Sequence, residues 1–493
     1  MRYGFLAVIS ILSLLLVACF EKDDGTPITP LDGDAELFLD SDIEPDKADK
    51  EPAETEAEPE ISEQESTETQ TDGDTENDIV DDDPEFEAEP DSQEQETPNA
   101  CTGIALDDQT FEPFAAWRDT QLHPFLLFDG VGIWLIASIA SDDGSGNFET
   151  VMTRFSGTGE TLVAPFKVNT TAKKNSIDPV LAQVGDKLLA AWQTYDNDDN
   201  AMDIYYRLFE LDGTPVSDTD QSLEPKRQNL AVVGNLSTPI LASDPLMQRF
   251  VMAGLWGLEG VNPFQAFVQI FDRQGALVGN GLDVNYDPQA AQLNPAVAVG
   301  MNGATYLAWN ESPMDNLDLD QVRFSRIPAS SVAAETPKTL CSYCTYPFLS
   351  ASKTDREAVY LAVDKTVGTG GTQSDIALWS KSALEGDGKI SLVLGEGGGM
   401  DVGGVVAAGD AGGAVLWHRV RSGIKGDAYF QRFSDRNGTL SALNAPITLN
   451  SGDDVTYFSP ALARVCGDTY VASWAEGASP HFLLKAAVIR GSR

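Results

Sequence analysis

The chain has 493 residues and a formal net charge of −45 at pH 7, from 77 acidic and 32 basic side chains, with only three histidines. That acidic excess excludes the basic face on which phosphate-backbone binding depends, so nucleic acid is not an expected partner. Hydrophobic residues make up 42%, enough for a sizeable core, but they are so unevenly distributed that the chain divides into three segments.

The first segment opens with the short positive start Met1-Arg2, followed by a mostly apolar stretch of 13 residues from Phe5 to Val17. A permanent bilayer-spanning helix needs about 20. The stretch ends Leu16-Val17-Ala18-Cys19. This resembles the lipobox of bacterial lipoproteins, in which small residues precede a cysteine that becomes the first residue of the mature chain. The resemblance implies that residues 1–18 are a removed signal peptide and that Cys19 carries lipid. Acyl chains contribute about 0.8 kcal/mol per buried CH₂, so several on one cysteine hold a protein to a membrane firmly. Phe20 stands where an Asp would resemble an inner-membrane retention signal, which favours the outer membrane, on its surface or periplasmic face. The alternative is an ordinary signal peptide with a chance cysteine.

Residues 19–100 have a different character. From Phe20 to Ala100 there are 32 acidic residues, three lysines and no arginine, so −29 of the total charge falls here and −16 on the rest. Low hydrophobicity with high like charge cannot offset the entropy of ordering a chain, so this segment is expected to be a disordered, self-repelling tether. A functional alternative is cation binding or a surface-export signal.

Residues 101–493 are organised by a repeat. An X-Pro pair recurs at His123-Pro124, Asp178-Pro179, Thr238-Pro239, Asn294-Pro295, Tyr346-Pro347 and Ser459-Pro460, with proline spacings of 55, 60, 56, 52 and 113. The last gap is two periods, and Gly403-Gly404 stands where the missing opening should be, making seven copies. Each opening is followed by an apolar run, a Gly/Asp/Asn turn and a second apolar run. The second run carries Trp192, Trp309, Trp417 and Trp474 at one equivalent place. A third, alternating run and a glycine turn at Gly159, Gly213, Gly275 or Gly438 complete the pattern.

Short runs rich in β-branched and aromatic residues between turn signals are strands. Four per copy, seven times, predict an all-β, seven-bladed β-propeller of four-stranded antiparallel blades. The prolines are placed at the first residue of each innermost strand, where a missing N–H is tolerated, and the tryptophans are read as packing between blades. The last copy has only three strands, so Gly103–Asp107 is expected to supply the fourth and clasp the ring shut. An unclosed β-solenoid or a pair of β-sandwiches is the alternative.

Five cysteines are present: Cys19, Cys101, Cys341, Cys344 and Cys466. With Cys19 lipidated, four remain in an exported chain, and disulfides Cys101–Cys466 and Cys341–Cys344 follow. The first would staple the clasp to the last blade, a long loop worth roughly 4–5 kcal/mol on the entropy model. The Cys341-Ser342-Tyr343-Cys344 pair precedes a strand rather than a helix, so no helix dipole would lower a thiol pKa, and a structural bridge is expected over a redox motif.

Signs of chemistry are sparse. His123, His418 and His481 have no metal-pair spacing, and there is no Gly-x-Ser-x-Gly elbow, phosphate loop or dinucleotide fingerprint. Acidic loops at Ser141–Gly144, Asp196–Asn200 and Asp315–Asp320 suit either calcium or ordinary exposed turns. Turns such as Ser434-Asp435-Arg436-Asn437-Gly438-Thr439 resemble sialidase Asp-boxes only loosely, lacking the Ser-x-Asp-x-Gly-x-Thr-Trp pattern. Arg419 and Arg421 read as a solvated strand end. No catalytic, cofactor or metal residues are assigned. The chain reads as a membrane-anchored, monomeric lipoprotein whose propeller binds a protein or polysaccharide ligand. The alternative is a carbohydrate-active hydrolase or lyase on the same scaffold.

Overall fold

The computed structural model describes residues 110–490 apart from 118–119, 143–144, 171–174, 196–201, 224–233, 245, 259–260, 285–288, 314–319, 332, 354–356, 368–372, 396–398, 410, 423–424, 451–459 and 479–480. The signal peptide, Cys19, the acidic segment, Cys101 and Gly103–Asp107 lie outside the described residues.

The described residues form seven consecutive antiparallel units, four-stranded except for the sixth, whose outer edge is split between Thr439–Ala442 and Ile447–Thr448, both paired with Lys425–Arg436. The first is Gln121–Phe128, Ile133–Ala140, Phe148–Phe155 and Thr161–Lys167, hydrogen-bonded in that order. The innermost strands of the next five are Asn175–Val184, Gly234–Asp244, Ala290–Val299, Cys344–Ala351 and Met400–Ala408, each followed outward by its successors in sequence. Blades five and six are joined by one parallel pair, Ser374 with Met400. The seventh blade has Ala461–Cys466 innermost, then Thr469–Ala478 and His481–Arg490.

Its outermost strand comes from the other end of the domain. Thr110 pairs with Ala487 and Phe111 with Ala486, and Phe111 sets its ring edge-on against Phe155 of the first blade, centroids 4.9 Å apart. An N-terminal strand therefore closes the last blade as expected; its described pairs fall at Thr110–Phe111, and Gly103–Asp107 lie outside the described residues.

Ring closure is visible in the packing. Each innermost strand touches the next, and Ala461–Cys466 touches Gln121–Phe128. The core is likewise divided into seven apolar clusters, each shared by two consecutive blades, the last including Leu126 and Leu135 of blade one with Val471 and Leu484 of blade seven. Blades are apolar on both faces because both faces are covered, which is why their sequences show apolar runs more than clean alternation. Trp192, Trp309, Trp417 and Trp474 are buried in the seams with the preceding blade. The inter-blade packing role expected for them holds.

The prolines require a correction. They do not begin the innermost strands but sit inside them, at a bulge. In blade one Leu122 pairs with Ser138 and Phe125 with Ile136, leaving His123-Pro124 opposite the single residue Ala137. The same two-against-one mismatch places Asp178-Pro179 opposite Trp192, Thr238-Pro239 opposite Gly254, Asn294-Pro295 opposite Trp309, Tyr346-Pro347 opposite Val363 and Gly403-Gly404 opposite Trp417. A bulge leaves one residue out of the ladder, so a proline without an N–H loses nothing there. The repeating proline and the repeating tryptophan are two sides of one structural device.

The one helix among the described residues, Lys381–Glu385, is a single short turn in the connection between strands three and four of blade five. None is long and apolar enough to cross a membrane among the described residues.

Candidate functional site at the channel mouth

The residue before each bulge proline takes positive φ: His123 51°, Asp178 50°, Thr238 53°, Asn294 48° and Tyr346 51°, with Gly403 at 67° in blade six. This left-handed region costs side-chain-bearing residues about 1–2 kcal/mol, and a β-branched threonine there is uncommon. The corresponding seventh residue, 459, lies outside the described residues. Because the bulges recur at one level of six adjoining innermost strands, these residues line the channel near the start of those strands. All six are half-buried, while the prolines behind them are buried.

What holds the strained backbone is a second repeated device. In three blades the residue after the tryptophan position reaches to the next blade and accepts a hydrogen bond from its bulge amide. Gln193 Oε1 accepts from Thr238 N at 3.0 Å, and Asn310 Oδ1 accepts from Tyr346 N at 3.0 Å. Asp364 accepts from Gly403 N at 2.8 Å and Gly404 N at 3.2 Å. A bulge amide is out of the ladder and would otherwise be buried without a partner, so blades two, four and five each satisfy the blade that follows. Asn310 also donates to Cys344 O at 3.0 Å and receives Asn294 Nδ2 at 3.2 Å.

The ring is polar and charge-balanced. His123 Nδ1 lies 2.7 Å from Asp178 Oδ1, linking blades one and two. Burial opposes the charge on both groups, but their mutual attraction and hydrogen bond prevail, so His123 is held above its ordinary pKa and Asp178 below. Tyr346 is pushed up to about 12 by burial and by the nearby charges of Asp364 and Asp320. Asp364 is pushed up to about 7: burial raises it, the two glycine amides pull it back, and Asp401 adds repulsion. At Gly403 a side chain is missing, and an added Cβ would lie 3.8 Å from Pro460, an ordinary contact distance.

The other sequence candidates fall elsewhere. Arg419 is not a solvated strand end. It grips buried Asp401 with two bonds of 2.7 and 2.8 Å and lies over the Tyr429 ring, 4.9 Å from its centroid. Arg421 pairs with Asp427 at 3.0 Å. His418 is buried, which lowers its pKa to about 3. His481 opens the third strand of blade seven rather than lying in a loop. The loop resembling an Asp-box is a closed turn, with Gly438 N donating to Asp435 Oδ1 at 2.7 Å. Residues 196–200 and 315–319 lie outside the described residues, and among those described no group of three acidic, His or Cys side chains is placed to hold a metal. Cys341 and Cys344 form the expected disulfide. Cys466 is also disulfide-bonded, while Cys101 lies outside the described residues. A cavity of about 340 Å³ beside the clasp is bounded by Phe114, Trp117 and Gln121. Gln121 is engaged there by Leu484 N and Phe114 O, so this space belongs to the clasp packing.

Sequence reasoning missed the ring. Its signal was present as the residue before each repeating proline, always polar or glycine and never the same twice.

Fold and site together define a β-propeller with a polar ring at the mouth of its channel. No protein-family profile matches the chain, and no curated protein does. Among solved structures it is similar to a protein of unknown function from Dyadobacter fermentans, at 11% identity and TM-score 0.48, covering 77% of this chain and 97% of that one. It is also similar to a Hadza microbial sialidase, at 12% identity and TM-score 0.42, covering 69% and 73%. A third is the α-L-arabinofuranosidase of Fusarium graminearum in complex with arabinobiose, at 12% identity and TM-score 0.44, covering 78% and 98%.

Proposed function

We propose that the channel mouth is a carbohydrate site. The observation that carries this reading is the ring itself: five different polar side chains, His123, Asp178, Thr238, Asn294 and Tyr346, held in a costly backbone conformation around one opening. Strain of this kind accumulates where function requires it. Hydroxyl, amide, imidazole and phenol groups match the hydroxyls of a sugar, and the aromatic ring of Tyr346 offers a flat apolar face. The one strong charge, Asp178, is balanced by His123, so the mouth suits a neutral ligand better than an ionic one. Binding of purified chain to a panel of soluble and insoluble polysaccharides tests this. Retention that Asn294→Ala weakens supports it, and a blank panel rejects it.

Cleavage is the second reading, and it rests on two carboxyls of contrasting character on blades two and five. Asp178 is kept ionised while the Asp364 carboxyl, whose charge Tyr346 feels, is raised towards neutrality. Carboxyls with pKa values driven apart are the usual basis of acid and base roles in glycoside hydrolysis, and a sialidase and an arabinofuranosidase are among the solved structures of comparable architecture. Release of reducing ends that Asp178→Asn abolishes would establish it.

We also infer that the chain is an outer-membrane lipoprotein, with lipid on Cys19 and the acidic 19–100 segment as its tether. Cys341 and Cys344 are paired with each other, so a lipidated Cys19 leaves Cys101 as the partner of Cys466. Cys19→Ser should move the protein from the membrane to the soluble fraction. Non-reducing peptide mapping should recover a Cys101–Cys466 linkage.

A further inference from the structure

The passage from blade four to blade five is reduced to one residue. The outermost strand of blade four ends at Ser342, the innermost strand of blade five begins at Cys344, and Tyr343 stands between. The Cys341–Cys344 disulfide brackets it, with Cα atoms 5.8 Å apart. The backbone of Tyr343 is fixed at both ends: its N–H donates to Asp320 O at 2.6 Å, and its carbonyl accepts from Thr366 N at 3.0 Å. It is left-handed, with φ 60°.

The side chain does not account for this conformation. Tyr343 is 54% exposed, and among the described residues its ring makes no hydrogen bond or ring contact. Outside the bulge ring, left-handed turns in this chain fall mostly to glycine, as at Gly159, Gly213, Gly275, Gly303 and Gly438. Glycine adopts that region freely, whereas a tyrosine there destabilises the fold. A bulky aromatic held by two backbone bonds and a disulfide, facing water, has no structural purpose of its own. Three residues further on, at the same end of the same strand, stands Tyr346 of the ring.

We infer that Tyr343 is an outer aromatic subsite, over which a glycan seated at the channel mouth continues outward across the junction of blades four and five, and that the disulfide is the clamp presenting it. The pyranose or furanose face of a second or third sugar unit would stack on the phenol ring. This rests on the carbohydrate reading above and extends it from a mouth to a cleft for oligosaccharides.

The test separates the two ideas. The mature chain is titrated with a size ladder, from mono- to hexasaccharide, of whichever polysaccharide in a panel of arabinan, xylan, cellulose, chitin and starch retains it. Tyr343→Ala should weaken hexasaccharide binding about tenfold, the scale of one aromatic stacking contact, and leave the monosaccharide unchanged. Asn294→Ala should weaken both. Reducing the disulfide, or replacing both cysteines in Cys341→Ala/Cys344→Ala, should reproduce the Tyr343→Ala profile.

Tyr343→Gly gives the sharpest discrimination. Relief of the left-handed strain should raise the melting temperature by about 1–2 °C while hexasaccharide affinity falls. A tyrosine with a merely structural role would lose stability on that change. Equal hexasaccharide binding by wild type and Tyr343→Ala, with Asn294→Ala defective, overturns the subsite and spares the mouth. No retention on any of the five polysaccharides overturns both.

Discussion

Asp364 offers a direct measurement of how one blade holds the next. Its carboxyl is raised from 3.8 to about 7 because it is buried, and it accepts the amides of both Gly403 and Gly404. A folded-state pKa above the unfolded value means that the folded chain binds the extra proton. The contribution of this group to stability is therefore full below pH 3.8 and is lost as pH rises through about 7. At about 1.4 kcal/mol per pKa unit, a shift of roughly three units amounts to about 4 kcal/mol at pH 8. Asp364→Asn removes the titration. It keeps one acceptor oxygen, as Asn310 does in blade four, and leaves one amide unsatisfied at a cost of about 1–2 kcal/mol. The variant should therefore be less stable than wild type at pH 4 by about 1 kcal/mol and more stable at pH 8 by about 2–3 kcal/mol. Urea unfolding followed by tryptophan fluorescence from pH 4 to 9 gives the two curves, which should cross. Parallel curves would refute the argument, because they would mean that the carboxyl is already ionised at ordinary pH.

Three further outcomes are expected. The imidazole of His123 should titrate above pH 6.5 by NMR and fall below it in Asp178→Asn. The linked stability should be present in the window between the depressed Asp178 value and the raised His123 value, fading as pH falls below the first or rises above the second. Trp474→Ala empties the seam between blades six and seven and should cost about 3–5 kcal/mol, whereas Asn310→Ala, which strips Tyr346 N of its acceptor and Cys344 O of a donor, should cost about 2–3 kcal/mol, both read as shifts in the urea midpoint. Removing the chain through Phe111 should lower the unfolding temperature and increase aggregation, since it bares the Ala486–Ala487 edge.

Proline was legible as the mark of the period because a bulge is the place inside a strand that tolerates it. Tryptophan was legible because it recurs opposite the bulge and fills a seam in three of the six described cases, with Ala137, Gly254 and Val363 in the others. The strand starts were misplaced for the same reason: the ladder resumes on the far side of the bulge, at Gln121-Leu122 or Ser176-Ile177, and nothing polar in those pairs marks them as strand. The ring was not legible as a site because its residues differ in every copy, and repetition is the one signal a lone sequence offers. The amide acceptors were hidden in the same way. Gln193, Asn310 and Asp364 occupy one structural position with three chemistries, recognisable as a set only once their partners in the next blade are known.

The clasp also sets where the molecule will yield under load. Among the described residues the chain enters the propeller at Thr110–Phe111, a strand with two backbone pairs lying on the outer edge of blade seven. A pull between an anchored N-terminus and a ligand gripped in the channel would reach the ring first through those two pairs and the Phe111–Phe155 contact. The seams between blades, each filled by a cluster of apolar side chains, would feel it later. The domain would behave as a closed hoop with one seam that can be peeled, and a covalent link from the upstream chain to Cys466 would convert that seam into the point at which tension is carried around the ring.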